Sequence, residues 1–285
     1  MESDLVYDLD EVLLQTKLNI KDVEYLRTTL PENIPGPLTN KQLLLFLNAC
    51  HGSVEEAKNL VKVYFAARKA APEHFRYRDP STDTIQQCFQ NQAYFVIPPT
   101  PKENCPIVYH KITNPQASQY FFDNAIKTYI MTMDYALYKY GPRPGIIFLH
   151  DMEQVGFTHL FRANLSSIRK FLHYIQEAIP AAVCRIHVLN VKSMFHKILA
   201  IVKPFLNIIF SMALFQIHVH ESGMDMEDFY KTWIPKSHLP SDYGGDLDSV
   251  VDMNENFGKE AMKLRDYYMR MEEVYNLVSK LCENM

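Results

Sequence analysis

The run "GIIFLHD", residues 145–151, has no polar position until His150. A strand with one wet face alternates apolar and polar residues, so an unbroken run describes a strand covered on both faces, as in a parallel sheet. The flanking segments repeat one order. "AYFVIPP" and "PIVYHKI" read as strands bounded by prolines. A helix from about 120 to 140 ends at "GPRPG", and another from about 163 to 178 ends at Pro180. Then "RIHVLN" at 185–190 is a strand, 193 to about 212 is helical, and "FQIHVHE" is a further strand. Strand and helix alternating at this spacing is the βαβ pattern, and the fold class is α/β.

The region before it is helical. Thr39 is a plausible N-cap for a helix with apolar Leu43, Leu44, Phe46 and Leu47. After a break at His51-Gly52, Val54, Ala57, Leu60, Val61 and Tyr64 carry a second helix. A shorter helix, "DVEYLRTTLPE", stops at Pro31, and "NIPGPLT" is a linker. The turn-rich "LPSDYGGD" at 239–246 follows the last strand, and an amphipathic helix is expected after Gly258. The predicted organisation is an N-terminal helical domain over 1–85, an α/β domain over 86–250, and a C-terminal helix over 251–285 that packs on the body.

Charge excludes some functions. With 29 basic and 33 acidic side chains the net charge is -4, which gives no global attraction to nucleic acid or to an anionic membrane. The five cysteines are widely spaced, with no C-x-x-C pair, so they read as reduced cytosolic thiols. The acidic start "MESDLVYDLDE" is unlike a signal peptide. The predicted location is cytoplasmic.

Motifs for catalysis are missing. Neither G-x-G-x-x-G nor G-x-x-x-x-G-K-[ST] occurs among the nine glycines, and there is no G-x-S-x-G elbow. Ser166 and Ser167 read as helical hydroxyls. His218 and His220 stand two apart on one strand face, yet no spaced carboxylate or thiol completes a metal site. Asp151 and Glu153 lie at a strand end where ligands often gather, and without a partner base they read as turn and cap residues. No enzyme activity, metal or cofactor is expected.

The most apolar stretch, "HKILAIVKPFLNIIFSMALFQIHVH" at 196–220, is too short for a membrane span: its uncharged run lasts from Pro204 to Ile217, against the roughly 20 apolar residues a span needs. On a helical wheel Phe195, Ile198, Leu199, Val202, Phe205, Leu206 and Ile209 form one stripe, with Lys192, His196, Lys203 and Asn207 on another face. Burying seven such side chains is worth roughly 10 to 20 kcal/mol as an upper bound. Pro204 favours a bend near 200–204. A kinked core helix would show the same pattern.

Several pieces in order, "LLLFLNACHGSVEEAKNLVKVYFAAR", "GIIFLHDMEQVGFTHL", "KFLHYIQEAIPAAVCRIHVLNVKSMFHKILAIVKPFL" and "LPSDYGGDLDSV", resemble the CRAL-TRIO lipid-binding family, which includes retinaldehyde-binding and α-tocopherol transfer proteins. The resemblance covers about 35–250. It implies an N-terminal helical bundle and a C-terminal α/β domain whose lipid cavity is closed by a helical gate, here 191–214. It further implies carriage of one small lipophile between membranes, by a monomer that meets a membrane transiently. The alternative is a membrane-recruited adaptor that senses a phosphoinositide or a partner and carries no ligand.

Position by position, the resemblance implies a cavity lined by Thr128, Tyr129 and Thr132, by Ile146, Phe148 and His150, and by Phe171, Tyr174, Ile175 and Ile179. Val183 and Ile186 continue it on the next strand. The gate adds Phe195, Ile198, Leu199, Val202, Phe205 and Leu206. His150 either meets a ligand hydroxyl or carbonyl, or is a core histidine satisfied by the protein. Where tocopherol-transfer relatives carry a basic phosphoinositide cleft, this chain has Ala182, Cys184, Ile209 and Ala213, and Leu45 and Asn48 replace arginines of the helical bundle. The continuation "NIIFSMALF" implies docking on membrane by burial more than by charge.

Overall fold

The computed structural model describes residues 5–31, 34, 37–191 and 216–273. Its centre is one five-stranded sheet, β1 (Gln92–Ile97), β2 (Ile107–Ile112), β3 (Ile146–Asp151), β4 (Val183–Val191) and β5 (Gln216–Glu221), in that spatial order. β1 and β2 are antiparallel, and every later pair is parallel. The segment "GIIFLHD" supplies the central strand, buried on both faces except for a partly exposed His150. The predicted helix over 193–212 lies outside the described residues.

Helix α7 (Phe122–Tyr140) carries the chain from β2 to β3. Helices α8 (Phe157–Leu160) and α9 (Leu165–His173), with a single π turn at Tyr174–Ala178, carry it from β3 to β4. These crossovers step the same way along the sheet, so the right-handed rule puts both on one face. The Tyr129 and Phe171 rings, from α7 and α9, lie 6.0 Å apart. Between Ile146 and Ile147 of β3 the register on β4 skips from Val183 to Arg185, leaving Cys184 as a bulge.

The opposite face is covered after β5. Helix α10 (Met226–Thr232) brings Phe229 and then Trp233 against His187 of β4. "LPSDYGG" closes over the carboxyl end of β3, and its glycines are sterically required. Gly244 has φ +69°, and a Cβ on Gly245 would lie within 1.9 Å of the Leu239 carbonyl oxygen. Helix α11 (Val250–Lys263) starts eight residues before Gly258, because Ser249 caps it by accepting from the Asp252 N–H. Gly258 is an internal helical position, and helix resumes over 265–273 after a turn at Leu264. Asn254 protects the free edge of β1, accepting from Tyr94 N–H at 2.9 Å and donating to the Phe89 carbonyl at 2.8 Å.

The N-terminal region comprises α1 (Leu9–Gln15), α2 (Ile20–Thr29), α3 (Asn40–Ala49), α4 (Val54–Ala70), α5 (Pro72–Phe75) and α6 (Asp83–Asn91). Thr39 and Gln42 form a reciprocal capping box at the start of α3. Positive φ at His51 and Gly52 makes the turn into α4. A buried charge cluster ties this region to the α/β body. Arg78 donates to Asp134 of α7, Arg68 lies 3.9 Å from the same carboxylate, and all three are almost fully buried. Lys170 of α9 pairs with Glu73 at 2.6 Å.

Candidate functional site

Alternation along a strand sends Phe148 and His150 to the face that carries α7 and α9, and Leu149 and Asp151 to the other. Parallel register aligns Phe148 with Ile186 and Ile217, and His150 with Val188 and Val219. This face is therefore aromatic at β3 and aliphatic at β4 and β5. Val188 and Val191 are buried with Met152, Ile186 and Ile217 packed against them, while Val219 on the edge strand stays 42 % exposed.

A polar pair stands in the apolar surface. Tyr129 Oη lies 3.2 Å from His150 Nε2, and the two rings are 5.2 Å apart. The Phe148, Phe171 and His110 rings all lie within 6.0 Å of Tyr129. Burial pushes His150 down to about 4 and holds the Tyr129 phenol well above its ordinary value. At neutral pH the phenol is protonated and the imidazole uncharged, so one of the two donates across this contact in a direction set by the imidazole tautomer.

His110 extends the cluster. Burial, then the neighbouring His150, lowers it to about 3. Its Nε2 lies 3.0 Å from Gln92 Oε1, which also accepts from Tyr94 Oη at 2.7 Å. His110 is not among the residues that the sequence predicts for the site. The signal was present: "PIVYHKI" and "GIIFLHD" both place histidine near the strand end, and parallel pairing sets His110 directly beside His150.

The other predicted residues fall in several places. Thr128 and Thr132 are buried, and their hydroxyls donate to the Asn124 and Thr128 carbonyls of their own helix. Ile146, Ile175, Ile179 and Val183 belong to the buried core, and Ile186 packs against it. The Tyr174 ring contacts Phe75 at 5.0 Å and Tyr64 at 6.3 Å, toward the N-terminal helices. Leu45 is a core residue, and Asn48 donates to the Arg143 carbonyl at 2.7 Å. Phe195, Ile198, Leu199, Val202, Phe205, Leu206, Ile209 and Ala213 lie outside the described residues.

Asp151 is engaged by structure. It accepts from Asn190 Nδ2 at 2.9 Å, Glu153 N–H at 2.8 Å, Tyr243 Oη at 2.5 Å and Lys111 Nζ at 3.0 Å. Four donors occupy the acceptor sites of a carboxylate, leaving no lone pair directed at a substrate. On the same sheet face His187 and His220 are joined at 3.0 Å, and the His218 ring packs 3.9 Å from Trp233. Among the described residues no group of three or more His, Cys, Asp or Glu side chains could hold a metal ion. No helix among them is long and apolar enough to cross a membrane.

The family model described as the CRAL/TRIO domain matches residues 90–245, and one described as a Pinta-like UBA domain matches 17–85. Proteins named alpha-tocopherol transfer protein-like are similar in sequence. Those of Pongo abelii and Homo sapiens are 26% identical over 240 residues, covering 83% of this chain and 68% of theirs. The Mus musculus protein is 25% identical over 264 residues, covering 88% and 75%. A solved structure, the crystal structure of Sfh5, aligns over 82% of this chain and 86% of that one at 11% identity and a TM-score of 0.46.

Proposed function

The chain belongs to the CRAL/TRIO domain family, a family of lipid- and small-ligand-binding and transfer proteins, and we propose that it binds one small lipophile and moves it between membranes. The observation that carries this reading is the sheet face running from Phe148 through Ile186 and Val188 to Ile217, apolar at these positions and edged at β2 and β3 by the polar cluster of Tyr129, His150 and His110. Such a surface removes a hydrocarbon body from water and offers one donor to a polar head, the usual economy of a lipophile site. A cytoplasmic carrier fits this reading.

Membrane contact in this proposal runs through α8 and the start of α9. Phe161 is 87 % exposed, with Phe157 and Leu165 about half exposed. Arg162 and Arg169 are exposed on the same segment. Aromatic side chains interleaved with cations are suited to the headgroup layer. The amphipathic stripe from Phe195 to Ile209 enters the proposal on its sequence pattern alone, as the cover that exchanges cavity contacts for lipid contacts. A ligand-dependent exchange of this kind requires the membrane to stabilise the open form by as much as closure gains.

Solvent extraction of the purified protein followed by mass spectrometry tests the reading. One lipophile per chain is expected. A protein that stays empty when offered tocopherols, retinoids, sterols and phospholipids in vesicles would favour an adaptor that carries nothing.

A further inference from the structure

Two structural irregularities meet at the amino-terminal end of the sheet, away from His150. Cys184 is the bulged residue of β4, and a bulge re-aims a side chain out of strict alternation. Gly145 lies between the two flanking strands, and a Cβ there would come within 2.6 Å of Cys184 Sγ. Through that gap Cys184 Sγ reaches Cys105 Sγ at 2.8 Å, across β3 and 79 positions along the chain. The loop before β2 fixes Cys105, since the Thr100 N–H donates to the Cys105 carbonyl at 3.1 Å.

The two thiols are unequal. Cys105 is fully buried, whereas Cys184 is partly exposed. Their contact lowers Cys184 and raises Cys105, whose Sγ also donates to the Glu103 carbonyl at 3.3 Å, and the neighbouring Arg185 guanidinium, itself paired with Glu103 at 2.6 Å, lowers Cys184 further against burial and Glu103. Burial raises Cys50 to about 11 and also raises Cys88. Thiolate character and access govern thiol oxidation, and both favour Cys184.

We propose that Cys184 and Cys105 form a peroxide-reactive dithiol site, with Cys184 the attacking thiolate and Cys105 the resolving thiol. The Cys184 sulfur attacks one oxygen of a hydroperoxide; the S–O bond forms, the O–O bond breaks, and the leaving oxygen takes a proton and departs as alcohol or water. Cys105 then attacks the Cys184 sulfenic acid; the S–S bond forms, the S–O bond breaks, and the hydroxyl departs with the Cys105 proton as water. Two sulfurs are oxidised by two electrons in all, and one peroxide bond is reduced. The distance to be closed is under ~1 Å, since a disulfide is about 2.05 Å long.

The test treats the whole protein with equimolar hydrogen peroxide, alkylates the remaining thiols in denaturant, and maps tryptic peptides. A Cys105–Cys184 cross-link two hydrogens lighter than the separate peptides, reversed by dithiothreitol, is expected, while Cys50 and Cys88 stay alkylatable. Cys105→Ser should trap Cys184 as a sulfenic acid that dimedone labels, and Cys184→Ser should leave Cys105 reduced. Neither variant is needed for the decisive comparison in the wild-type protein. Cys184 should react at least tenfold faster than Cys50 in the native protein and at a similar rate in urea. Oxidation of Cys50 or Cys88 first, or native and urea-unfolded protein cross-linking alike, would overturn the proposal.

Discussion

Tyr243 donates its hydroxyl to the Asp151 carboxylate at 2.5 Å and shares a second contact of 2.5 Å with the Tyr109 hydroxyl, pinning the turn after α10 onto the carboxyl end of β3. A buried carboxylate with four donors loses most when a donor is removed, because the remaining charge stays buried. Tyr243→Phe is expected to lower stability by about 1.5–3 kcal/mol in urea unfolding monitored by tryptophan fluorescence. Gly245→Ala should be worse, since the Leu239 backbone cannot move aside for the new Cβ. Equal stability of wild type and Tyr243→Phe would mean that this contact is replaced by solvent.

Asp134 holds Arg78 and lies beside Arg68 in the seam between the N-terminal helices and α7. Replacing it by Asn leaves two guanidinium groups buried with no counter-charge. A loss of about 3–5 kcal/mol follows from the cost of breaking a buried ion pair. The double change Asp134→Leu, Arg78→Leu should recover part of that loss, because the second substitution removes one orphaned charge. Thermal unfolding of the single and double variants measures the difference.

Acid stability should be set by neutral buried histidines. Burial lowers His110 and His187 to about 3 and His150 and His220 to about 4, against 6.5 in the unfolded chain. Below pH 6.5 the unfolded chain binds protons that the folded protein refuses. Stability is therefore fully present above about pH 6.5, falls as pH drops, and levels off only below pH 3–4. Each histidine contributes a slope of at most about 1.4 kcal/mol per pH unit inside that window. His187→Gln should flatten the slope near pH 5 in denaturant titrations at successive pH values; an unchanged slope would exclude His187 as a contributor.

The alternation of strands and helices was readable because β1 to β3 carry largely apolar runs and the breaks after β1, around α7 and before β4 carry Pro or Gly. The partners of Asp151 were not, since Tyr243 lies 92 residues away and only the folded turn brings it near. His110 becomes legible only once its strand is paired, when parallel register sets it beside His150. The cysteines read as unrelated thiols because a bulge at Cys184 and a missing side chain at Gly145, neither visible as a motif, bring two of them together. Helix α11 began early because a serine cap outweighed an internal glycine.

Phe161 stands almost fully in water, a position that burial in a membrane would relieve. Taking one such ring into lipid is worth roughly 1.5–3 kcal/mol. Phe161→Asp is thus expected to weaken partition onto phosphatidylcholine vesicles by about tenfold or more in a flotation assay, with urea stability unchanged. Unaltered flotation would move the contact surface away from α8 and α9.

Tyr129 and His150 make the sharpest test of the proposed lipophile site. Tyr129→Phe keeps the ring that packs on Phe148 and Phe171 but removes the hydroxyl partner of His150 Nε2, so the fold should lose only about 0.5–1.5 kcal/mol. The freed imidazole can change tautomer, and the orientation of its remaining N–H is no longer imposed. A lipophile whose head is a hydroxyl or carbonyl should then bind about tenfold more weakly, the effect of losing one oriented hydrogen bond of about 1.4 kcal/mol. His150→Phe should weaken the same ligand at least as much, while a pure hydrocarbon analogue should bind either variant with its wild-type Kd. Isothermal or fluorescence titration of the polar ligand and its hydrocarbon analogue separates the outcomes. A parallel loss for both would assign Tyr129 and His150 to packing, and no loss for either would place the ligand elsewhere.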